Sequence, residues 1–229
     1  MTKTTDNLIV FTDFDGTVSV GDVGNRLFNY FSDGKSREPV SRWLAGSIDS
    51  RKCLIEEAAA MRDIEPAELY EFIDIFQIDP HFTSFVDFLN RSGIALYILS
   101  DGLDIYIKRL LGRNGLGHLS FYANRAELNS GRFHFEWPYF EESCGKCANC
   151  KGYHIRRLRR TGQKAVYIGD GKSDLCALPE ADIIFAKSFL ADYCRGNKID
   201  YHPFDSFCDI EKALRAWEAK RPTIREGKP

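Results

Sequence analysis

Four short runs of unbroken apolar residues punctuate the chain, at 8–11, 94–99, 165–168 and 183–185. Runs of this length without polar alternation predict strands buried on both faces, as in a parallel sheet. Residues 199–201 read as a short fifth strand. The first three runs pass directly into small polar residues: Thr12-Asp13, Ser100-Asp101-Gly102 and Gly169-Asp170-Gly171. Open parallel sheets bind ligands beyond the carboxyl ends of their strands. These three strand ends are therefore expected to meet in one crevice.

Between the first two strands the apolar spacing is helical. Val23, Leu27, Phe28 and Phe31 form one stripe. Asp49 and Ser50 can cap a helix running through Ala60 and Met61, and Pro66 opens another with Leu69, Phe72, Ile73 and Phe76 on one face. Asp79-Pro80 interrupts. A helix bearing Phe82, Phe85, Val86 and Leu89 then stops at Gly93. An insertion of roughly 60 residues is too long for a crossover loop. The fold expected is α/β, a Rossmann-like parallel sheet (1–20 and 80–229) with a small helical cap (21–79) inserted after the first strand. Further on, 103–111 predicts a helix ended by Gly112, and 128–133 a hairpin turning on Asn129-Ser130-Gly131. A capping box at 206–209 opens a helix carrying Ile210, Leu214 and Trp217, and 222–229 read as a frayed tail.

Composition adds limits. The chain has 229 residues, enough for one such domain with its insertion. A net charge of −2 gives no reason to expect nucleic acid or an anionic membrane as partner. The N-terminus lacks a signal-peptide pattern, and no stretch approaches the roughly 20 apolar residues of a membrane span. The seven cysteines are an odd number, three of them clustered. That favours thiols or a metal in a reducing compartment, hence a cytoplasmic location.

Asp13-Phe14-Asp15-Gly16-Thr17 leaves the first strand with two acids that can both face the crevice. A carboxylate can act as nucleophile when a cation offsets its charge. A second carboxyl two residues on can protonate a leaving group and later activate water. Taken alone the segment could equally be a turn. A calcium loop is excluded by the missing later ligands. Ser100 with the backbone of Asp101 and Gly102 can cradle phosphate oxygens or merely cap a helix. Asp170 and Asp174 facing Asp13 would concentrate negative charge that suits magnesium, or they could be solvated acids on a glycine turn. Lys151 could neutralise a phosphate, though one lysine by itself is uninformative.

As an ordered set, the Asp-x-Asp-Gly-Thr segment, the strand ending in Ser100, Lys151 and Gly169-Asp170-Gly171-x-x-Asp174 resemble the four motifs of the haloacid dehalogenase superfamily. The resemblance covers residues 8 to about 204. It implies that Asp13 forms an aspartyl-phosphate and Asp15 is the general acid/base. It implies that Ser100 and Lys151 hold the phosphoryl group. Asp13, the Asp15 main-chain carbonyl and Asp170 would ligate Mg²⁺, with Asp174 acting through water or by orienting Lys151. An Asp at position 15 implies a phosphatase or phosphotransferase rather than a dehalogenase. The cap position resembles the phosphoserine phosphatase branch. Ile98-Leu99-Ser100-Asp101-Gly102-Leu103-Asp104, Trp137-Pro138 and the Cys-rich run ending in Cys150-Lys151 are most similar to the family acting on 2-hydroxy-3-keto-5-methylthiopentenyl-1-phosphate in methionine salvage. A small soluble phosphomonoester is the expected substrate. The alternatives are phosphoserine phosphatase-like activity, a phosphotransferase, and a catalytically silent binding protein on the same fold.

Cys144, Cys147 and Cys150 have C-x2-C-x2-C spacing, which can wrap a soft ion such as Zn²⁺. The fourth ligand is not evident, with His134 or His154 as candidates. Otherwise the run is a reduced loop. Cys53, Cys176, Cys194 and Cys208 read as scattered structural residues. Arg156, Arg157, Arg159 and Arg160 read as the solvated face of a helix. Asp22, Asn25, Arg26, Arg42 and Trp43 are cap residues that could face the crevice, although surface or packing roles explain each as well.

Overall fold

The computed structural model describes residues 8–219. The expectations for the polar start and for the tail at 222–229 lie outside the described residues. Strands β1 (Leu8–Thr12), β2 (Ala95–Leu103), β3 (Phe121–Asn129), β4 (Arg132–Glu136), β5 (Lys164–Gly169), β6 (Ile183–Ala186) and β7 (His202–Pro203) form one sheet in the order β4-β3-β2-β1-β5-β6-β7. Only the β3–β4 pairing is antiparallel. All five residues of β1 are buried, because β2 and β5 flank it and both its faces are covered. Alternation sorts its side chains. Val10 and Ile98 join α5 (Phe82–Ser92), α6 (Asp104–Arg113) and α9 (Phe207–Ala219) on one face. Ile9, Phe11 and Leu99 join α7 (Lys151–Leu158) and α8 (Ser188–Asn197) on the other.

Helices α1 (Val23–Phe31), α2 (Arg37–Leu44), α3 (Ser50–Ala59) and α4 (Pro66–Asp74) precede α5, all five lying between β1 and β2. The stripe Val23, Leu27, Phe28 and Phe31 is buried as its spacing requires. Asp49 caps α3 by accepting from the Lys52 amide at 2.7 Å, and Gly93 ends α5 in the left-handed conformation. A two-stranded neck closes the insertion: Val20 N donates to Gln77 O, and Asp79 N to Val18 O, both at 2.8 Å.

Two local expectations are corrected, and one helix escaped the sequence pattern. Gly112 lies inside α6, where it faces open space; the chain turns instead at Asn114 and Gly115, whose φ is +73°. The last strand is His202–Pro203, not 199–201. The left-handed Lys198 ending α8 delays pairing with Phe185 and Ala186. Finally, α2 has only Pro39 buried, so it carries no apolar stripe to announce it.

Candidate active site

The β1 ladder continues one residue beyond the strand, with Asp13 N donating to Ile168 O at 2.8 Å. This fixes the Asp13 carboxylate at the mouth of the sheet. Its Oδ1 accepts from Phe14 N and from Lys151 Nζ, each at 2.7 Å. Lys151 is the first residue of α7, and its side chain is wholly buried. Its ammonium also contacts Asp174 and donates to Ser173 Oγ at 3.0 Å. Asp174 is fully committed: Oδ1 takes Lys151 and Tyr167 OH, and Oδ2 takes the amides of Asp170 and Gly171 at 2.8 Å each. Its part in the site is therefore to hold Lys151 and the Asp170 turn. Thr17 donates to Asp170 Oδ1 at 2.8 Å. Gly16, at φ +75°, has to be glycine, because a Cβ there would run into the Asp170 carboxylate.

Asp15 sits apart from that cluster. Its Oδ1 accepts from the amides of Val23 and Gly24 at the start of α1, at 2.9 and 3.3 Å, and its Oδ2 from Tyr106 OH at 2.6 Å. Burial, and then the charge of Asp22, push its carboxyl up to about 7 despite these bonds. Burial and Asp174 raise Asp13 well above the ordinary range, with Lys151 opposing. Burial and Asp174 bring Asp170 up to about 6. Burial works against the Lys151 ammonium, but Asp13 and Asp174 outweigh it and its pKa is raised.

Ser100 is buried at the end of the Ile98–Leu99 run, its Oγ accepting from Gly102 N at 3.0 Å. The Asp101 carboxylate is used elsewhere. Ser50 Oγ at 2.6 Å and Asn149 N at 2.7 Å bind its two oxygens, tying the start of α3 to the cysteine loop. Burial raises it to about 6. Any phosphate contact from this turn is left to the Ser100 hydroxyl and the backbone of Asp101 and Gly102. Gly102 is also sterically required, since a Cβ there would overlap Tyr106 OH and come within 2.8 Å of Asp15 Oδ2.

Asp13, Asp15, Ser100, Asp101, Gly102 and Asp170 line one cavity of about 280 Å³. Its upper wall comes from the inserted helices through Phe28, Val40, Trp43, Leu44 and Leu54. Of the cap residues singled out in the sequence, Asp22, Asn25 and Trp43 line it. Arg26 instead stacks over Phe76, and Arg42 pairs with Glu56 at 2.8 Å. Sequence reasoning passed over Tyr106 and Tyr167, hidden in apolar stripes, and gave Thr17 no role beyond its place in the motif. It also passed over Glu57, which is buried in the cavity wall with Oε1 lacking any hydrogen bond among the described residues. An acid on the inward face of α3, in register with Ser50 and Cys53, was the available signal.

The cysteine loop packs beside this site. His154 is not a ligand there: its Nε2 meets Asn149 Oδ1 at 2.6 Å and its Nδ1 meets Arg157 at 3.2 Å. His134 lines a different cavity, with Tyr70 and Arg109. Cys176 is not scattered either, its sulfur lying 3.7 Å from that of Cys147. The Arg-rich helix is only partly solvated. Arg156 pairs with Glu180, Arg159 with Asp182, and Arg157 lies over Tyr122.

The molecule is thus an α/β protein with a mostly parallel sheet, in which the Asp-x-Asp turn after the first strand, a buried Lys and a further acid pair converge. The chain belongs to the haloacid dehalogenase-like hydrolase family, whose model matches residues 10–179, and is a phosphatase of that family. It is 30% identical to a 2-hydroxy-3-keto-5-methylthiopentenyl-1-phosphate phosphatase of Bacillus cereus, over 90% of this chain and 95% of that one. Its fold is that of phosphoserine phosphatase from T. onnurineus (TM-score 0.68, 16% identity, 94% of this chain and 98% of that one). A solved phospho-aspartyl intermediate analogue of phosphoserine phosphatase matches equally, with TM-score 0.68 at 16% identity over 92% and 98%. Among the described residues no helix is long and apolar enough to cross a membrane.

Proposed function

We propose that this chain is a Mg²⁺-dependent, cytoplasmic phosphatase of a small phosphorylated metabolite, working through an aspartyl-phosphate on Asp13. The observation that carries this reading is Asp13, which lines a cavity together with Asp15 and is backed at 2.7 Å by the buried Lys151 ammonium. Asp13 attacks phosphorus while the ester P–O bond breaks, and Asp15 gives its proton to the departing oxygen. Water then attacks the phosphorus of the acyl phosphate, Asp15 takes the water's proton, and phosphate leaves with Asp13 restored. Lys151 and Ser100 hold the phosphoryl oxygens, with the backbone of Asp101 and Gly102 closing the cradle.

The residues fit a divalent cation. Asp13, Asp170 and Asp174 bring carboxylate oxygens within 4.8 Å of one another, against one buried ammonium. The hydrogen bonds on Asp13 and Asp170 fall on Oδ1, leaving each with an Oδ2 for metal, whereas Asp174 has none to spare. Mg²⁺ held by Asp13, Asp170 and the Asp15 carbonyl would neutralise charge on the phosphoryl group. No step of this reaction needs Zn²⁺ at Cys144, Cys147 and Cys150. The neck at 18–20 and 77–79 supports treating 21–79 as a cap whose movement admits substrate and water in turn.

The cavity wall favours an apolar tail. Phe28, Val40, Leu44 and Leu54 suit a methylthio chain, as in the substrate named for the Bacillus cereus relative. Phosphoserine would need a cation for its carboxylate. Among the described residues, the cation that lines the cavity is Lys172, whose ammonium already donates to the Trp43 and Leu44 carbonyls. The test is hydrolysis of the enol phosphate, phosphoserine and an aryl phosphate with Mg²⁺ or EDTA, by wild type and Asp13→Asn. Turnover that needs Mg²⁺, prefers the enol phosphate and drops by on the order of 10³-fold or more in the variant is expected. Turnover surviving in folded Asp13→Asn would overturn the mechanism, and a preference for phosphoserine would overturn the substrate.

A further inference from the structure

The segment from the end of β4 to the start of α7, residues 137–150, has no regular secondary structure. A connection of that length inside a compact domain normally needs a staple. At its end three thiols, those of Cys144, Cys147 and Cys150, lie within 4.8 Å of one another, with Cys144 and Cys147 sulfurs 3.5 Å apart. The fourth comes from 26 residues further on. Cys176 sulfur is 3.7 Å from Cys147 sulfur.

A tetrahedron of sulfurs bound to zinc at about 2.3 Å has edges of about 3.8 Å. The Cys144–Cys147 and Cys147–Cys176 separations, 3.5 and 3.7 Å, are close to that before any ion is added. Cys150 also stands at the positive end of α7, which favours an anionic sulfur there. The approach of the two segments is also built into the backbone. Gly152 has no room for a side chain because a Cβ would overlap the Cys176 carbonyl oxygen.

We propose that Cys144, Cys147, Cys150 and Cys176 bind one Zn²⁺ as a closed tetrathiolate centre. Four protein ligands leave no open position, so the ion is structural. Its placement gives it a purpose. Cys150 immediately precedes Lys151, and Cys176 follows Asp174 by two residues, so the ion fastens together the two segments whose side chains form the buried Lys151–Asp174 pair. Neither the ligand set nor its test depends on the phosphatase reading.

The experiment uses the full-length chain, purified reduced, loaded with Zn²⁺ and dialysed against Mg²⁺ buffer. Elemental analysis is expected to find one zinc per chain, and Co²⁺ loading to give the spectrum of a tetrahedral tetrathiolate. Cys176→Ser should bind Zn²⁺ at least about tenfold more weakly, and Cys194→Ser, buried in another part of the core, should bind like wild type. Alkylation of the wild type with peptide mapping covers the case in which Cys176→Ser does not fold. Zn²⁺ should protect these four cysteines and leave Cys208 reactive. Zinc lost from wild type on dialysis, or protection that omits Cys176, would overturn the assignment.

Discussion

Tyr106 donates its hydroxyl proton to Asp15 Oδ2 at 2.6 Å, joining the first turn of α6 to the loop after β1. The bond favours the Asp15 carboxylate, so it lowers a pKa that burial and Asp22 have pushed up to about 7. Removing it in Tyr106→Phe must raise that pKa further. Proton donation to the leaving group fails as pH rises through the pKa. The basic limb of kcat/KM is therefore expected near pH 7 in wild type and at higher pH in Tyr106→Phe. A pH–rate profile for an alkyl phosphate checks this; a limb that stays in place or moves down would remove Asp15 as the acid.

Gly102→Ala attacks the same contact sterically. An added Cβ overlaps Tyr106 OH and crowds Asp15 Oδ2. Elsewhere a tolerated Gly→Ala change gains about 0.4–1 kcal/mol through the unfolded chain; here that gain is lost and the acid is displaced. The expected result is a fall in kcat of at least about tenfold, and at most the roughly 10²–10⁴ contributed by general acid–base catalysis. Aryl phosphates, which need less protonation on leaving, should suffer less than alkyl phosphates.

The carboxyls of Asp15 and Glu57 should each draw stability from the metal-free protein as pH rises from 6.5 to 8. Their folded pKa values are about 7 and about 8, against ordinary values of 3.8 and 4.5. Across this window both hold protons in the folded chain that they release in the unfolded one, so their contribution favours unfolding as pH rises. The Cys144 thiol, lowered to about 6 by its hydrogen bond with Cys176, acts the opposite way, so Glu57→Gln is expected to turn the pH slope of the melting temperature more positive than in wild type. Below 6.5 His154, held down to about 4 by burial and Arg157, opposes the trend. Thermal melts in EDTA from pH 6.5 to 8 test the sign. Added Mg²⁺ should raise the melting temperature most at the alkaline end, where the carboxylates are most ionised.

The legible parts of this molecule were those fixed by local chemistry. Unbroken apolar runs gave β1, β5 and β6, because burial on both faces leaves no room for alternation, and β2, which is buried at Ile98 and Leu99 though exposed at Ala95. Asp13, Ser100 and Asp170 were placed together because strand ends in a parallel sheet must converge. Tyr106 and Tyr167 escaped because an aromatic in an apolar stripe looks like core, and only the fold shows their hydroxyls ending on Asp15 and Asp174. Cys176 escaped for a related reason. Its partners lie 26 or more residues away, and no spacing rule connects them.

Glu57 offers the sharpest test of substrate class. Its carboxyl is buried in the cavity wall, Oε2 receives the Cys53 thiol at 3.6 Å, and Oε1 has no partner among the described residues. Burial brings it up to about 8, so at neutral pH it is mostly the uncharged acid. An uncharged acid can donate to a keto or hydroxyl oxygen, whereas an ammonium substrate would demand the carboxylate. Glu57→Gln keeps a donor and an acceptor without charge. For an oxygen-bearing enol phosphate it should leave KM within a few-fold of wild type, and it should abolish the rise in KM expected of wild type above pH 8. Glu57→Leu, which removes the donor, should raise KM by on the order of tenfold, the scale of one hydrogen bond. If substrate binds through an ammonium, Glu57→Gln should instead lose more than tenfold in affinity, the scale of a hydrogen bond to a charged group. KM against pH for the three proteins separates the two cases.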